Sequence, residues 1–121
     1  MNKKRLLIVD DDSRNIFAMV NTLRAKSFEC LSCLSAEEAL KILSSDEIID
    51  AVLIDMMMPE MDGYEAIPLI KKIPSGRSVL IVAVTAQAMP GDKEKCLEAG
   101  ADDYISKPVD VDKLLMILSK I

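Results

Sequence analysis

The sequence predicts an α/β fold: a doubly wound, five-stranded parallel sheet with helices on both faces, a class whose common five-stranded order is 2-1-3-4-5. Three observations carry this prediction. Short apolar runs alternate strictly with stretches whose apolar residues recur at helical spacing, five of each. The connections between them are short. Two runs, Ala51-Val52-Leu53-Ile54 and Val79-Leu80-Ile81-Val82-Ala83-Val84, are apolar on both faces, as strands sandwiched between two helical layers must be.

Residues 5–10 read as the first strand, with Leu6-Leu7-Ile8-Val9 ending at Asp10. Ser13 is then a candidate N-cap. Ile16, Met19, Val20 and Leu23 give a first amphipathic helix to about Lys26. Residues 29–34 form a second strand. Ser35 with Glu38 fits a capping box opening the second helix, whose buried face is Ala39, Leu40, Ile42 and Leu43. Residues 51–55 are the third strand, residues 58–63 a loop and residues 64–73 the third helix. Pro68 is awkward there, because proline gives no backbone N–H and crowds the preceding turn. Either that helix starts late, placing Pro68 in its first turn, or it kinks; Pro74-Ser75-Gly76 then breaks it. Residues 79–84 form the fourth strand. A helix from about Pro90 to Ala99 stops at Gly100, a natural residue to follow a helix. Asp103-Tyr104-Ile105 is a short fifth strand. Asp110 caps a last helix that turns Val111, Leu114, Leu115 and Leu118 inward. With no linker, repeat or low-complexity tract, residues 1–121 read as a single domain with no output domain attached.

Composition narrows the function. Only 3% of residues are aromatic, so the core must be aliphatic and no ring sandwich for a flavin is available. The net charge of −5 and the lack of a basic patch argue against nucleic-acid binding. There is no histidine, which excludes His-based acid–base catalysis and His metal ligands. The apolar run after the basic start is too short for a signal peptide, and no stretch suits a membrane span, so a cytoplasmic domain without membrane contact is expected. Three cysteines form an odd, sparse set that fits a reducing compartment. Cys30 and Cys33 have the spacing of a thiol pair, but an offset of three along a strand puts them on opposite faces.

The chemistry gathers at strand ends. Asp10, Asp11 and Asp12 close the first strand and Asp55 closes the third. In the order 2-1-3-4-5 these strands are neighbours, and ligands bind in the crevice outside their carboxyl ends. Crowded carboxylates repel one another unless a cation intervenes. A hard divalent ion with oxygen ligands resolves the conflict, and Mg²⁺ (or Mn²⁺) is held by one or two carboxylates plus phosphate oxygens. Thr85 closes the fourth strand and Lys107 follows the fifth, adding a hydroxyl and an ammonium suited to phosphoryl oxygens. Each residue alone is unremarkable; an acidic loop before a helix also serves its dipole. Their succession on strand ends of one sheet is not.

The pattern Asp10-Asp11, Asp55, Thr85-Ala86 and Lys107-Pro108 resembles the receiver domain of two-component response regulators, over essentially the whole chain. The run from Met58 to Gly63 is similar to that family's loop after the phosphorylated aspartate. The segments from Thr85 to Asp92 and from Cys96 to Tyr104 resemble receivers fused to hybrid sensor histidine kinases. The resemblance implies a flavodoxin-like (CheY-like) fold and assigns roles. Asp55 is the phosphoacceptor, and Asp10 and Asp11 are the metal-binding pair. Met57 gives a backbone carbonyl to the metal, and Thr85 bonds the phosphoryl group. Lys107 is the ammonium, with a cis bond to Pro108. Tyr104 is a switch aromatic that moves inward when Thr85 is drawn to the phosphate. The donor is a phosphohistidine on a histidine kinase or a histidine phosphotransfer protein. The fourth helix, fifth strand and fifth helix present the switched surface to a downstream partner. Such a domain promotes only its own phosphorylation and dephosphorylation, and is no enzyme unless it is part of a hybrid kinase.

The resemblance further implies that Met57 and Gln87, each two residues beyond a site residue, flank the path of an attacking water and influence how long the phosphoryl group persists. Met57 cannot hydrogen-bond that water, which predicts slow self-dephosphorylation. Three rivals fit less well. A flavodoxin-like electron carrier would have to cradle a phosphate against three aspartates. A receiver-like binding module that is never phosphorylated would usually have lost an acid or the lysine. A hydrolase with an aspartyl-phosphate intermediate would want a second acid where Met57 stands.

Overall fold

The computed structural model describes residues 3–74, 79–86 and 90–121. The elements alternate: β1 (Arg5–Val9), α1 (Ser13–Ala25), β2 (Glu29–Cys33), α2 (Ala36–Leu43), β3 (Ala51–Asp55), α3 (Gly63–Lys71), β4 (Leu80–Thr85), α4 (Asp92–Ala99), β5 (Asp103–Ser106) and α5 (Val111–Leu118). The ladders are parallel, as the alternation predicts, and the order is β2-β1-β3-β4-β5, the common order of the five-stranded doubly wound class.

The period of two along each strand builds two cores. Leu7 and Val9 of β1, Val52 and Ile54 of β3, and Ile81 and Ala83 of β4 face Ala39, Ile67 and Cys96 of α2, α3 and α4. Leu6, Ile8, Ala51, Leu53, Val82 and Val84 face the other way, onto Leu23 of α1 and Leu114 and Leu118 of α5. Every residue of β3 is buried. Val52, Leu53 and Ile54 each contribute roughly 1.5–3 kcal/mol by leaving water, which makes the middle of the sheet the rigid part of the molecule. Cys33 lies in the first core and Cys30 against the second, so the two thiols are separated by the sheet as their offset requires. Burial pushes the Cys33 thiol up to about 11, which leaves it inert.

Several local expectations change. The N-cap of α1 is Asp12, not Ser13. Asp12 has the extended backbone a cap needs, and its Oδ1 accepts from the Arg14 N–H at 2.9 Å. Ser35 does cap α2, accepting from the Glu38 N–H at 3.2 Å. The full reciprocal box forms at α3 instead, between Asp62 and Glu65. That box starts α3 at Gly63, so Pro68 lies in the helix interior and the late start fails. Pro68 is exposed, offers no N–H to the Tyr64 carbonyl and crowds the turn before it. The helix ends at Lys71, ahead of Pro74; Ser75 and Gly76 of the expected breaker lie outside the described residues. α4 begins at Asp92 rather than Pro90, after Gly91 with φ 87°, and ends at Gly100 with φ 117°. On α5, Ile117 joins Leu114 and Leu118 against the core.

Gly63 marks a close approach. A Cβ there would collide with the Met56 Sδ and stand 2.9 Å from the Met56 Cα, so only glycine lets α3 start against the residue that follows Asp55.

Candidate functional site

Sheet register assembles the site. Val9 pairs with Ile54 and Asp55 pairs with Val84, so Asp10 and Asp55 emerge side by side at the carboxyl edge. Asp10, Asp11 and Asp55 each offer a carboxylate oxygen, all within 4.8 Å of one another. Asp10 and Asp55 are buried while Asp11 is exposed, so the cluster opens outward.

Local bonds hold these carboxylates. Asp10 Oδ1 accepts from the Asp12 N–H at 2.9 Å, and its Oδ2 accepts from Asn15 Nδ2 at 3.4 Å. Asp55 Oδ1 accepts from the Met57 N–H at 3.0 Å. Lys107 reaches across from the β5–α5 loop, its Nζ 3.2 Å from Asp55 Oδ2 and 3.5 Å from Asp10 Oδ2. That loop is tied to β4 by the Lys107 N–H, which donates to the Thr85 carbonyl at 2.7 Å. The bond between Lys107 and Pro108 is cis, as the resemblance implied.

Burial raises the Asp55 pKa. The Met57 N–H and the Lys107 ammonium work against that rise, and the Asp10 charge adds to it. Burial alone would depress Lys107, but Asp55 and Asp10 outweigh it, and the Lys107 pKa is raised. Three carboxylates thus face one ammonium. A hard divalent cation with oxygen ligands fits both the donor set and the excess negative charge.

The other predicted residues take different positions. Thr85 is buried at the same edge, and its hydroxyl donates to Asp92 Oδ2 at 3.1 Å. Tyr104 is half-buried against the first core. The Met57 side chain is 52% exposed, so it shields the site mouth only in part. Gln87 lies outside the described residues. Three residues near the site had no assigned role from sequence: Asn15, Tyr64 and Asp92. In sequence Asp92 reads as an ordinary first-turn acid and nothing marks Tyr64, which is half-buried and whose hydroxyl donates to Asp92 Oδ1 at 3.4 Å.

The chain is similar to known proteins over nearly its whole length. The hybrid signal transduction protein dokA of Dictyostelium discoideum is 36% identical over 118 residues, covering 97% of this chain but only 7% of dokA. The chain therefore spans a small fraction of that relative's length. The receiver domain of sensor histidine kinase PA1611 from Pseudomonas aeruginosa PAO1, solved with a magnesium ion coordinated in the active site cleft, matches with a TM-score of 0.87. It is 33% identical, over 98% of this chain and 97% of that one. The co-crystal structure of the Saccharomyces cerevisiae histidine phosphotransfer signaling protein Ypd1 with the receiver domain of Ssk1 contains a chain that matches at TM-score 0.82. Identity there is 29%, over 93% of this chain and 84% of that one. The model of the response regulator receiver domain matches residues 6–119. With strand order, acidic edge and near-complete coverage in agreement, the chain belongs to the response regulator receiver domain family.

Proposed function

We propose that residues 1–121 act as one phosphoacceptor unit, which takes a phosphoryl group onto Asp55 from a partner's phosphohistidine and alters its surface in response. The observation that carries this reading is the contact of Lys107 with both Asp55 and Asp10, beside the open carboxylate of Asp11. A receiver is a switch module rather than a turnover enzyme.

An Asp55 carboxylate oxygen forms the new O–P bond as the N–P bond of the phosphohistidine breaks. The imidazole leaves with the electron pair and is protonated from solvent. Lys107 is placed to meet charge on the phosphoryl oxygens, and the Met57 N–H holds Asp55 in orientation. Asp10, Asp11, Asp55 and the Met57 carbonyl would hold Mg²⁺, which supplies charge neutralisation at the phosphoryl oxygens; Mn²⁺ suits the same ligands. The missing histidine requires the donor to be another protein or domain. A histidine kinase or a histidine phosphotransfer protein fits, and the Ypd1–Ssk1 complex supports the second. Thr85 and Tyr104 carry the change to the α4–β5–α5 face, where a downstream partner binds. Among the described residues no helix is long and apolar enough to cross a membrane, which is compatible with the cytoplasmic setting proposed here.

The test is incubation with phosphoramidate and Mg²⁺, read by intact mass. The native protein gains one phosphoryl group; Asp55→Asn gains none, and Lys107→Ala gains it much more slowly. A native protein that gains nothing is a binding module instead.

A further inference from the structure

Asp92 is the buried carboxylate that phosphoryl transfer to Asp55 leaves without a task. It opens α4 yet is only 5% exposed. An acid at a helix start serves the dipole from the surface, as exposed Glu94 does in the same turn. Asp92 instead turns inward, after a left-handed backbone at Gly91, and reaches two other elements. Its Oδ2 accepts from Thr85 Oγ1 at 3.1 Å, and its Oδ1 accepts from the Tyr64 hydroxyl at 3.4 Å. Burial, with Cys96 and Asp92 adding to it, pushes the Tyr64 phenol up to about 12, so Tyr64 remains a donor.

Resting on the assignment of Asp55 as phosphoacceptor, we infer that Asp92 is a positioning residue that holds the Thr85 hydroxyl away from Asp55 in the unphosphorylated state and so sets how readily the domain switches. A threonine hydroxyl has one proton to donate. Given to Asp92, it is withheld from a phosphoryl oxygen on Asp55. Switching therefore exchanges one charged acceptor for another, and the equilibrium follows the difference between them. Removing Asp92 removes the competitor. After the exchange, Asp92 keeps Tyr64 on one oxygen and loses Thr85 on the other. The first turn of α4 and the start of α3 then register the state of Thr85 by a route that does not need Tyr104.

The test uses beryllofluoride with Mg²⁺ as the phosphoryl mimic, in native protein, Asp92→Ala, Asp92→Asn, Thr85→Val and the Thr85→Val/Asp92→Ala double variant. Asp92→Ala binds beryllofluoride about tenfold tighter, the scale of one charge-assisted hydrogen bond. Asp92→Asn shifts the same way by less, because a neutral amide oxygen still accepts. In the Thr85→Val background the Asp92 substitution changes nothing, and Mg²⁺ affinity without beryllofluoride is the same throughout. In the metal-free protein, couplings to the Thr85 methyl report a single rotamer in native and an averaged one in Asp92→Ala. Unchanged or weaker beryllofluoride binding in both Asp92 variants overturns the inference, as does equal tightening in the Thr85→Val background. A purely structural role would lower stability without this dependence on Thr85. Failure of native protein to bind beryllofluoride overturns the Asp55 assignment itself, a separate and recognisable outcome.

Discussion

Burial and charge compete at Asp55, and burial wins: its folded pKa lies above the ordinary value of 3.8. Between those two values the native state holds a proton that the unfolded chain has lost. The stability this group contributes is complete below pH 3.8 and is lost as pH rises through the folded pKa. At neutral pH the ionised Asp55 is therefore a cost. Asp55→Asn removes it, so thermal unfolding of the metal-free protein at pH 7 shifts upward, and the gain shrinks as the buffer is acidified through that window. Met57 presents a second residue-scale prediction. Its side chain offers nothing to hydrogen-bond an attacking water, and Met57→Asn would place an amide there. Acyl-phosphate decay followed by intact mass then speeds up several-fold in the variant; equal or slower decay would sink the idea. Asp55, Lys107 and the acid pair could be placed together from sequence because each closes or follows a strand at one edge of the sheet. Thr85 was legible as a site residue, but the acceptor of its hydroxyl was not.

At the scale of elements, caps were read to within a residue and a proline was not. Asp12 displaced Ser13 because a cap is chosen by which residue leaves the helical backbone region, and neighbouring Asp and Ser are equally good candidates on paper. Pro68 sits inside α3 because the Asp62–Glu65 box fixes the start of the helix and the proline ring points to solvent. The ring is exposed, so a smaller residue there forfeits little buried surface. Pro68→Ala restores a donor for the Tyr64 carbonyl and stabilises the domain by about 1–3 kcal/mol, measured by urea unfolding. A neutral or destabilising result would show that the helix has already adjusted to the proline. At Gly63, sequence showed a loop end. Only the approach of α3 to Met56 explains why no side chain fits there.

For the whole molecule, the two cores divide the helices: α1 and α5 on one face, α2, α3 and α4 on the other. In the proposed switch, Thr85 is linked to α4 through its bond to Asp92, while Tyr104, on adjacent β5, packs against the first core. Beryllofluoride with Mg²⁺ is expected to change amide exchange in the first turn of α4, in β5 and in α5, and to leave β2 and α2 as they were. Equal change over the whole sheet would mean global tightening rather than a directed switch. The sequence by itself determined the alternation of parallel strands and helices, the two-sided burial of β3 and β4, and the strand ends that carry the acids and the lysine. These follow from periodicity and from residue types repeated over many positions. Only the tertiary structure decided that Thr85 donates to Asp92, that Tyr64 braces the same carboxylate, and that Asp11 stays open while Asp10 is buried. The reason is physical: a hydrogen bond depends on tenths of an ångström between elements distant in sequence. No pattern along the chain encodes where a backbone turn such as Gly91 aims the next side chain.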